Sequence, residues 1–172
     1  MCSSDLRMNT YNQAPEMPDQ MIQVMICRPD VQLPAYVHAF DAGMDVRAAE
    51  TILLRPGETA AVPTGLKFAL PPGWEIQVRP RSGLSLKTPI RLPNAPGTID
   101  AGFRDELCVL IQNISCPCQV TEPDRIYVLD GSRNQKGTYR IQKGDRIAQL
   151  VFARVASVRR RQIGRASCRE RV

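Results

Sequence analysis

The chain has 172 residues, 43% of them hydrophobic, which fits one domain with a sizeable core. Fourteen prolines and eleven glycines cut it into short pieces, no helical apolar period persists, and the run from Ile147 to Val158 is broken by Gln149 and Arg154, which argues against a helical bundle and a membrane-spanning helix. The formal charge of +6 is scattered apart from Arg159-Arg160-Arg161, and with aromatics at 5% there is little for bases to stack on, so a polyanionic small molecule suits the charge better than nucleic acid.

Residues 7–20 are polar and proline-bearing, so positions 1–19 are expected to form a flexible N-terminal arm, 20–158 a single all-β domain, and 159–172 a disordered tail. MCSSDL at the start and IGRASCRERV at the end each resemble a sequencing adapter read in frame, so 1–6 and 163–172 are expected to be read-through. No basic-then-apolar signal opens the chain, which makes the cytoplasm the default location. Gln20 to Cys27 reads as a strand closed by Arg28-Pro29-Asp30, and Asp41 to Ala48 as a turn running into a strand. Thr51–Leu54 and Thr59–Val62 flank Arg55-Pro56-Gly57-Glu58, the composition of a tight hairpin turn. Pro63-Thr64-Gly65 and Pro71-Pro72-Gly73 then turn the chain into strands over Leu66–Leu70 and Trp74–Arg79. Leu107–Ile114 is a strand, Ser115–Thr138 an irregular excursion, and Lys143–Phe152 a turn leading into a last strand. Short strands separated by regular turns are the signature of a sandwich or barrel.

The six cysteines supply no metal knuckle. Cys27 and Cys108 sit in apolar runs and read as small core hydrophobes, Cys116-Pro117-Cys118 has the wrong spacing for zinc, and the single His38 lacks a ligand partner in sequence.

Four places could carry chemistry. In Leu92–Leu107, LPNAPGTIDAGFRDEL, Asp100 lies between Ile99 and Ala101 with Gly97 and Gly102 on either side. That arrangement suits a hairpin whose backbone faces a flat ligand edge, with a carboxylate of raised basicity acting on water; a self-capping turn aspartate explains the same residues. Arg79-Pro80-Arg81-Ser82-Gly83-Leu84 offers amides, a hydroxyl and guanidinium forks to phosphate oxygens, or is simply a solvated basic turn. Gln149 interrupts an apolar run, so backbone or a bound oxyanion must satisfy its amide. Asp45 reads as a strand-edge aspartate or a metal ligand.

The four stretches DAGMDV, RPRSGLSLK, PNAPGTIDAGFRDE and KGDRIAQLVF, in this order, resemble the first four motifs of the trimeric dUTP pyrophosphatases (dUTPases), and the likeness covers roughly residues 20–155. The resemblance implies a distorted jelly-roll, β-clip subunit of a homotrimer with active sites at subunit interfaces, hydrolysing dUTP to dUMP and pyrophosphate with Mg2+. By that resemblance Asp100 is the general base for water attack on the α-phosphorus. Asn94, Gly97, Thr98 and Ile99 read uracil, and Phe103 packs beneath the deoxyribose and excludes a 2′-hydroxyl. Arg81, Ser82, Gly83 and Gln149 hold phosphate oxygens, and Asp45 reaches Mg2+ through water.

Three features depart from the family pattern. Position 103 is Phe where many relatives carry Tyr, the excursion over 115–138 is long, and the glycine-rich C-terminal arm that closes over substrate does not follow residue 158, so impaired catalysis is expected of the chain as it stands. Two rivals differ in class. The related dCTP deaminases share an IDxGF-like hairpin but need a glutamate where this chain carries Leu110, and a non-catalytic dUTP-binding regulator would not need Asp45, Arg81, Ser82, Asp100 and Gln149 together.

Overall fold

The computed structural model describes residues 20–130, 133–159 and 161, so the arm over 1–19, both adapter-like ends and nearly all of the tail lie outside the described residues. Among the described residues twelve short strands form four small sheets, an all-β architecture in agreement with the proline and glycine punctuation. Strand β1 (Gln23–Ile26) pairs antiparallel with β5 (Leu66–Ala69). A four-stranded sheet runs in the order β2 (Met44–Arg47), β12 (Arg146–Arg154), β6 (Trp74–Arg79), β8 (Gly97–Asp100). A second sheet joins β4 (Thr59–Pro63), β9 (Cys108–Asn113) and β7 (Ile90–Arg91), and a third joins β10 (Ile126–Val128), β11 (Thr138–Ile141) and β3 (Ile52–Leu54). One short helix, α1 (Ser82–Lys87), follows β6.

The strands form because apolar residues alternate. Along β9, Val109, Ile111 and Asn113 are buried while Cys108 and Leu110 are exposed, and β11 buries Tyr139 and Ile141. Leu54, Val62, Leu66, Ile76, Ile147 and Leu150 are inaccessible or nearly so and meet in one core. Truncating one of these to alanine costs about 2–5 kcal/mol, because the removed methyls leave a cavity as well as a lost transfer term. Asn113 stitches the sheets: its buried amide donates to the carbonyls of Leu54 (3.0 Å) and Gly137 (2.8 Å) and accepts from the Ser115 N–H (3.0 Å). A buried amide with every group paired holds one arrangement of its neighbours against others.

Several local expectations change on folding. The Arg55–Glu58 turn forms, with the Glu58 N–H on the Arg55 carbonyl at 3.1 Å and Gly57 at φ +81°, but its flanking strands part: β3 joins β11 and β4 joins β9. The turn is a corner between sheets because Asn113, at the end of β9, exchanges backbone bonds with Gly57 (2.9 Å) and Glu58 (2.9 Å). Gly97 to Gly102 is likewise no self-paired hairpin. β8 pairs with β6, the next strand, β9, belongs to another sheet, and neither glycine lies in the left-handed region. The excursion is not wholly irregular, since it contains a 3-10 turn at Pro117–Gln119 and β10, which runs parallel to β11 with Tyr127 against Tyr139 at 5.6 Å between ring centroids. Cys27 and Cys108 are exposed and not core residues, each falling on an outward position of its run, while Cys116 and Cys118 are joined in a disulfide. Among the described residues no helix is long and apolar enough to cross a membrane.

Candidate active site

The four-stranded sheet carries most of the residues singled out above. Across its middle, Asp45 on β2 lies opposite Gln149 on β12, and Gln149 lies opposite Arg79 at the end of β6. β12 shifts register between Arg146 and Ala148, an irregularity that re-aims the side chains around it. The Asp45 carboxylate, with its side chain only 14% exposed, accepts from Arg81 Nε at 3.0 Å through Oδ1 and from Arg146 Nη1 at 3.1 Å through Oδ2. Arg81 Nη1 also donates to the Arg146 carbonyl at 3.1 Å. A partly buried carboxylate needs such partners, and two guanidinium groups around one carboxylate leave a net positive charge.

Arg81 is the cap residue of α1, and its side chain makes no capping bond, being committed to Asp45 and Arg146 instead. The N–H groups of the first helical turn, at Ser82 and Gly83, therefore lack a side-chain cap and sit on exposed residues. The expected basic turn is thus a strand-to-helix junction. A polar pocket of about 120 Å³ opens beside it, with Arg81, Lys87 and Arg146 facing Asp130 and Asp145. Arg146 and the excursion's Asp130 were not among the residues expected to build this site; their sequence separation from Arg81 hid them. Gln149 is half-buried and makes no side-chain hydrogen bond among the described residues, so of the two expected partners for its amide, backbone and a bound oxyanion, backbone is not the one used.

Asp45 alone is not a metal cage, and the described residues contain no group of three His, Cys, Asp or Glu side chains that could hold an ion. Its carboxylate oxygens each retain a lone pair beyond the arginine bonds. A lone carboxylate of this kind suits an outer contact to a hydrated divalent cation and not its direct enclosure.

The second group lies on β8 and the loop after it. Gly97 is buried, and a Cβ there would come within 3.2 Å of Asn94 Nδ2 and 3.3 Å of Val78 Cβ, so glycine is needed for close packing and not for an unusual φ. The Ala95–Pro96 peptide just before it is cis. β8 is the outer strand of its sheet, which leaves backbone N–H and C=O groups of Gly97–Asp100 without a strand partner on one side. Edge position, not a hairpin, is what leaves this main chain open. Thr98 and Asp100 are exposed, Ile99 packs half-buried against the core, and the Phe103 N–H closes a turn onto the Asp100 carbonyl at 3.0 Å with its ring exposed. The apolar enclosure expected around Asp100 is not supplied by the single chain.

Gly97, opposite Val78, lies next to the arginine end of β6, but Asp100 does not. Asp100 lies opposite Glu75 at the start of β6, whereas Arg79 lies at its end, four residues and on the order of 13 Å away, with Arg81 further still.

A family model described as dUTPase matches residues 30–129. A deoxyuridine 5'-triphosphate nucleotidohydrolase of Solibacter usitatus is 42% identical over 139 residues, covering 80% of this chain and 81% of its own, and that of Streptomyces avermitilis is 42% identical over 135, covering 78% and 66%. Among solved structures, a mutant dUTPase from phage phi11 of S. aureus, whose structure shows coordination of a structural Mg(II) ion, superposes with a TM-score of 0.75 at 29% identity, covering 86% of this chain and 99% of its own. A Staphylococcus bacteriophage 80alpha dUTPase mutant with dUpNHpp superposes with a TM-score of 0.76 at 29% identity, covering 87% and 99%. With more than half of its length matched by the family model and relatives this similar along most of theirs, the chain belongs to the dUTPase family.

Proposed function

We propose that this protein hydrolyses dUTP to dUMP and pyrophosphate, as a homotrimer in which the arginine cluster of one subunit faces the β8 edge of another. The observation that carries this reading is the division of the site. Asp100 pairs with Glu75 at the start of β6 while the cationic cluster follows Arg79 at its other end, and since nothing among the described residues encloses the exposed Asp100, a second subunit supplies that enclosure in this reading. The outward face of β9 supports assembly: Cys108 and Leu110 are exposed there, with the exposed Ala61 of β4 opposite Leu110. A solvated antiparallel face ordinarily alternates to polar residues.

In this reading Arg81, Ser82, Gly83 and Gln149 hold the phosphate oxygens, with Arg146 beside them. The edge backbone over Gly97, Thr98 and Ile99, with Asn94, pairs with the uracil edge, and cytosine would leave those groups mismatched. Phe103 packs under the deoxyribose. Asp100 orients a water and takes its proton as the oxygen attacks the α-phosphorus, and pyrophosphate departs. Mg2+, held by the triphosphate and by Asp45 through water, would neutralise phosphate charge. The deaminase alternative is weakened by Leu110, which stands where that chemistry needs a carboxylate.

The test is pyrophosphate release from dUTP, dCTP, dTTP and UTP with Mg2+, with ammonia followed in the dCTP sample. Release selective for dUTP is expected. Nucleotide binding without release would favour a regulator, and ammonia from dCTP would overturn the assignment.

A further inference from the structure

Asp100 ends β8, and the segment that follows it, residues 101–105 with Phe103 at its middle, belongs to no strand and is exposed apart from Ala101. Its own bonds are local: the turn at Asp100, and Arg104 Nη1 donating to the carbonyls of Ala101 (2.6 Å) and Phe103 (2.8 Å). Its downstream end is held from a distance. Glu106 Oε1 accepts from Arg28 Nε at 2.7 Å and from the Gly65 N–H at 2.7 Å, and Oε2 accepts from Arg28 Nη2 at 2.9 Å. Arg28 Nη1 reaches on to Glu50 at 3.1 Å. Gly65 meets the carboxylate at φ +72°, and a Cβ there would collide with Val31. Next, Leu107 donates to the Leu66 carbonyl at 2.8 Å, and its own carbonyl accepts from Thr64 Oγ1 at 2.7 Å. A two-pronged guanidinium–carboxylate contact fixes direction as well as distance.

We infer that Glu106, gripped by Arg28, is a positioning residue that sets how the segment bearing Asp100 and Phe103 leaves the sheet, and hence the discrimination of dUTP from UTP. The inference rests on the nucleotide reading of those two residues. Solvent-accessible ion pairs add little to global stability, and with Arg28 38% and Glu106 20% exposed a merely structural role for this fork would be a modest one. Placing an exposed segment next to a reacting centre is more demanding, since small misplacements there cost large factors in rate.

Two variants test it. Glu106→Gln keeps an acceptor for Gly65 and removes the charged fork, and Arg28→Lys keeps the charge and removes the fork. Amide hydrogen exchange over 101–107 should quicken several-fold in both while β6 and β12 keep their protection. The turnover number for dUTP should fall about tenfold, and the kcat/KM ratio of dUTP to UTP should fall with it. Unchanged exchange over 101–107 overturns the inference. So does activity lost only in proportion to the folded fraction with the dUTP-to-UTP ratio intact. Should the parent chain fail to hydrolyse dUTP, the proposed function falls, and the exchange measurement still decides whether Glu106 positions the segment.

Discussion

The two halves of the candidate site are built in opposite ways. The cluster of Asp45, Arg81 and Arg146 is part-buried and mutually bonded within the chain, with each carboxylate oxygen on a guanidinium before any ligand arrives. The β8 half is more exposed, with Asp100 next to, and Phe103 within, a segment that is held at its downstream end by Glu106 and Leu107. Charges taken out of water must find partners inside the chain, whereas an exposed carboxylate can wait for its surroundings. The cluster is thus bonded within one chain, whereas in the proposed trimer the Asp100 segment takes its enclosure from the nucleotide and a neighbouring subunit.

The sharpest way to separate the halves is Asp100→Asn, which should lower turnover by about a thousandfold or more while a non-hydrolysable dUTP analogue still binds within about twofold, measured by pyrophosphate release and calorimetry. Equal turnover would remove Asp100 as base. Next in size, Leu110→Asp puts a charge on the outward face of β9 and should split the assembly, with activity falling about a hundredfold for want of the second half-site; light scattering reads the mass. An unchanged mass would place the contact elsewhere. Arg81→Lys strikes the cluster by deleting its fork, and about 10- to 100-fold loss in kcat/KM for dUTP is expected, chiefly through phosphate contacts. Phe103→Ala strikes the other half and should reduce the dUTP-to-UTP preference by about tenfold, leaving the phosphate cluster untouched. The smallest effect is in pH. Arg28 beside Glu106, by its hydrogen bonds foremost, holds that carboxyl below its ordinary range, with Lys67 assisting and burial opposing. The stability this contributes is present above the ordinary carboxylate pKa and is lost as pH falls through the depressed folded value. Melting temperature should therefore drop more steeply on acidification in the parent chain than in Glu106→Gln.

Much of the strand pattern was legible because turn chemistry acts over a few residues. Gly73 takes φ +83° with the Trp74 N–H on the Pro71 carbonyl at 3.3 Å, and Gly144 takes φ +92° where the Asp145 N–H meets Gln142 at 3.0 Å, both where the residue order placed a turn. Which strands pair was not legible. A good turn at Arg55–Glu58 joins strands of different sheets, and an apparent hairpin at Gly97–Gly102 is an edge strand on β6. The excursion hid β10, whose pairing depends on Tyr127 finding Tyr139.

For the site, four motifs and their order were readable along the chain, because glycine, proline and charged residues at fixed short spacings constrain the backbone wherever they occur. The bonds that make them a site were not. Asp45 reaches Arg146 across 101 positions and Arg28 reaches Glu106 across 78. Such contacts carry no local signature, since any arginine suits any carboxylate until folding chooses the pair. Residue order alone therefore announces an all-β dUTPase-family domain and its candidate chemistry. Tertiary structure decides that Asp45 is bound by two arginines, that Glu106 is gripped by Arg28, and that Asp100 and the arginine cluster lie toward opposite ends of β6.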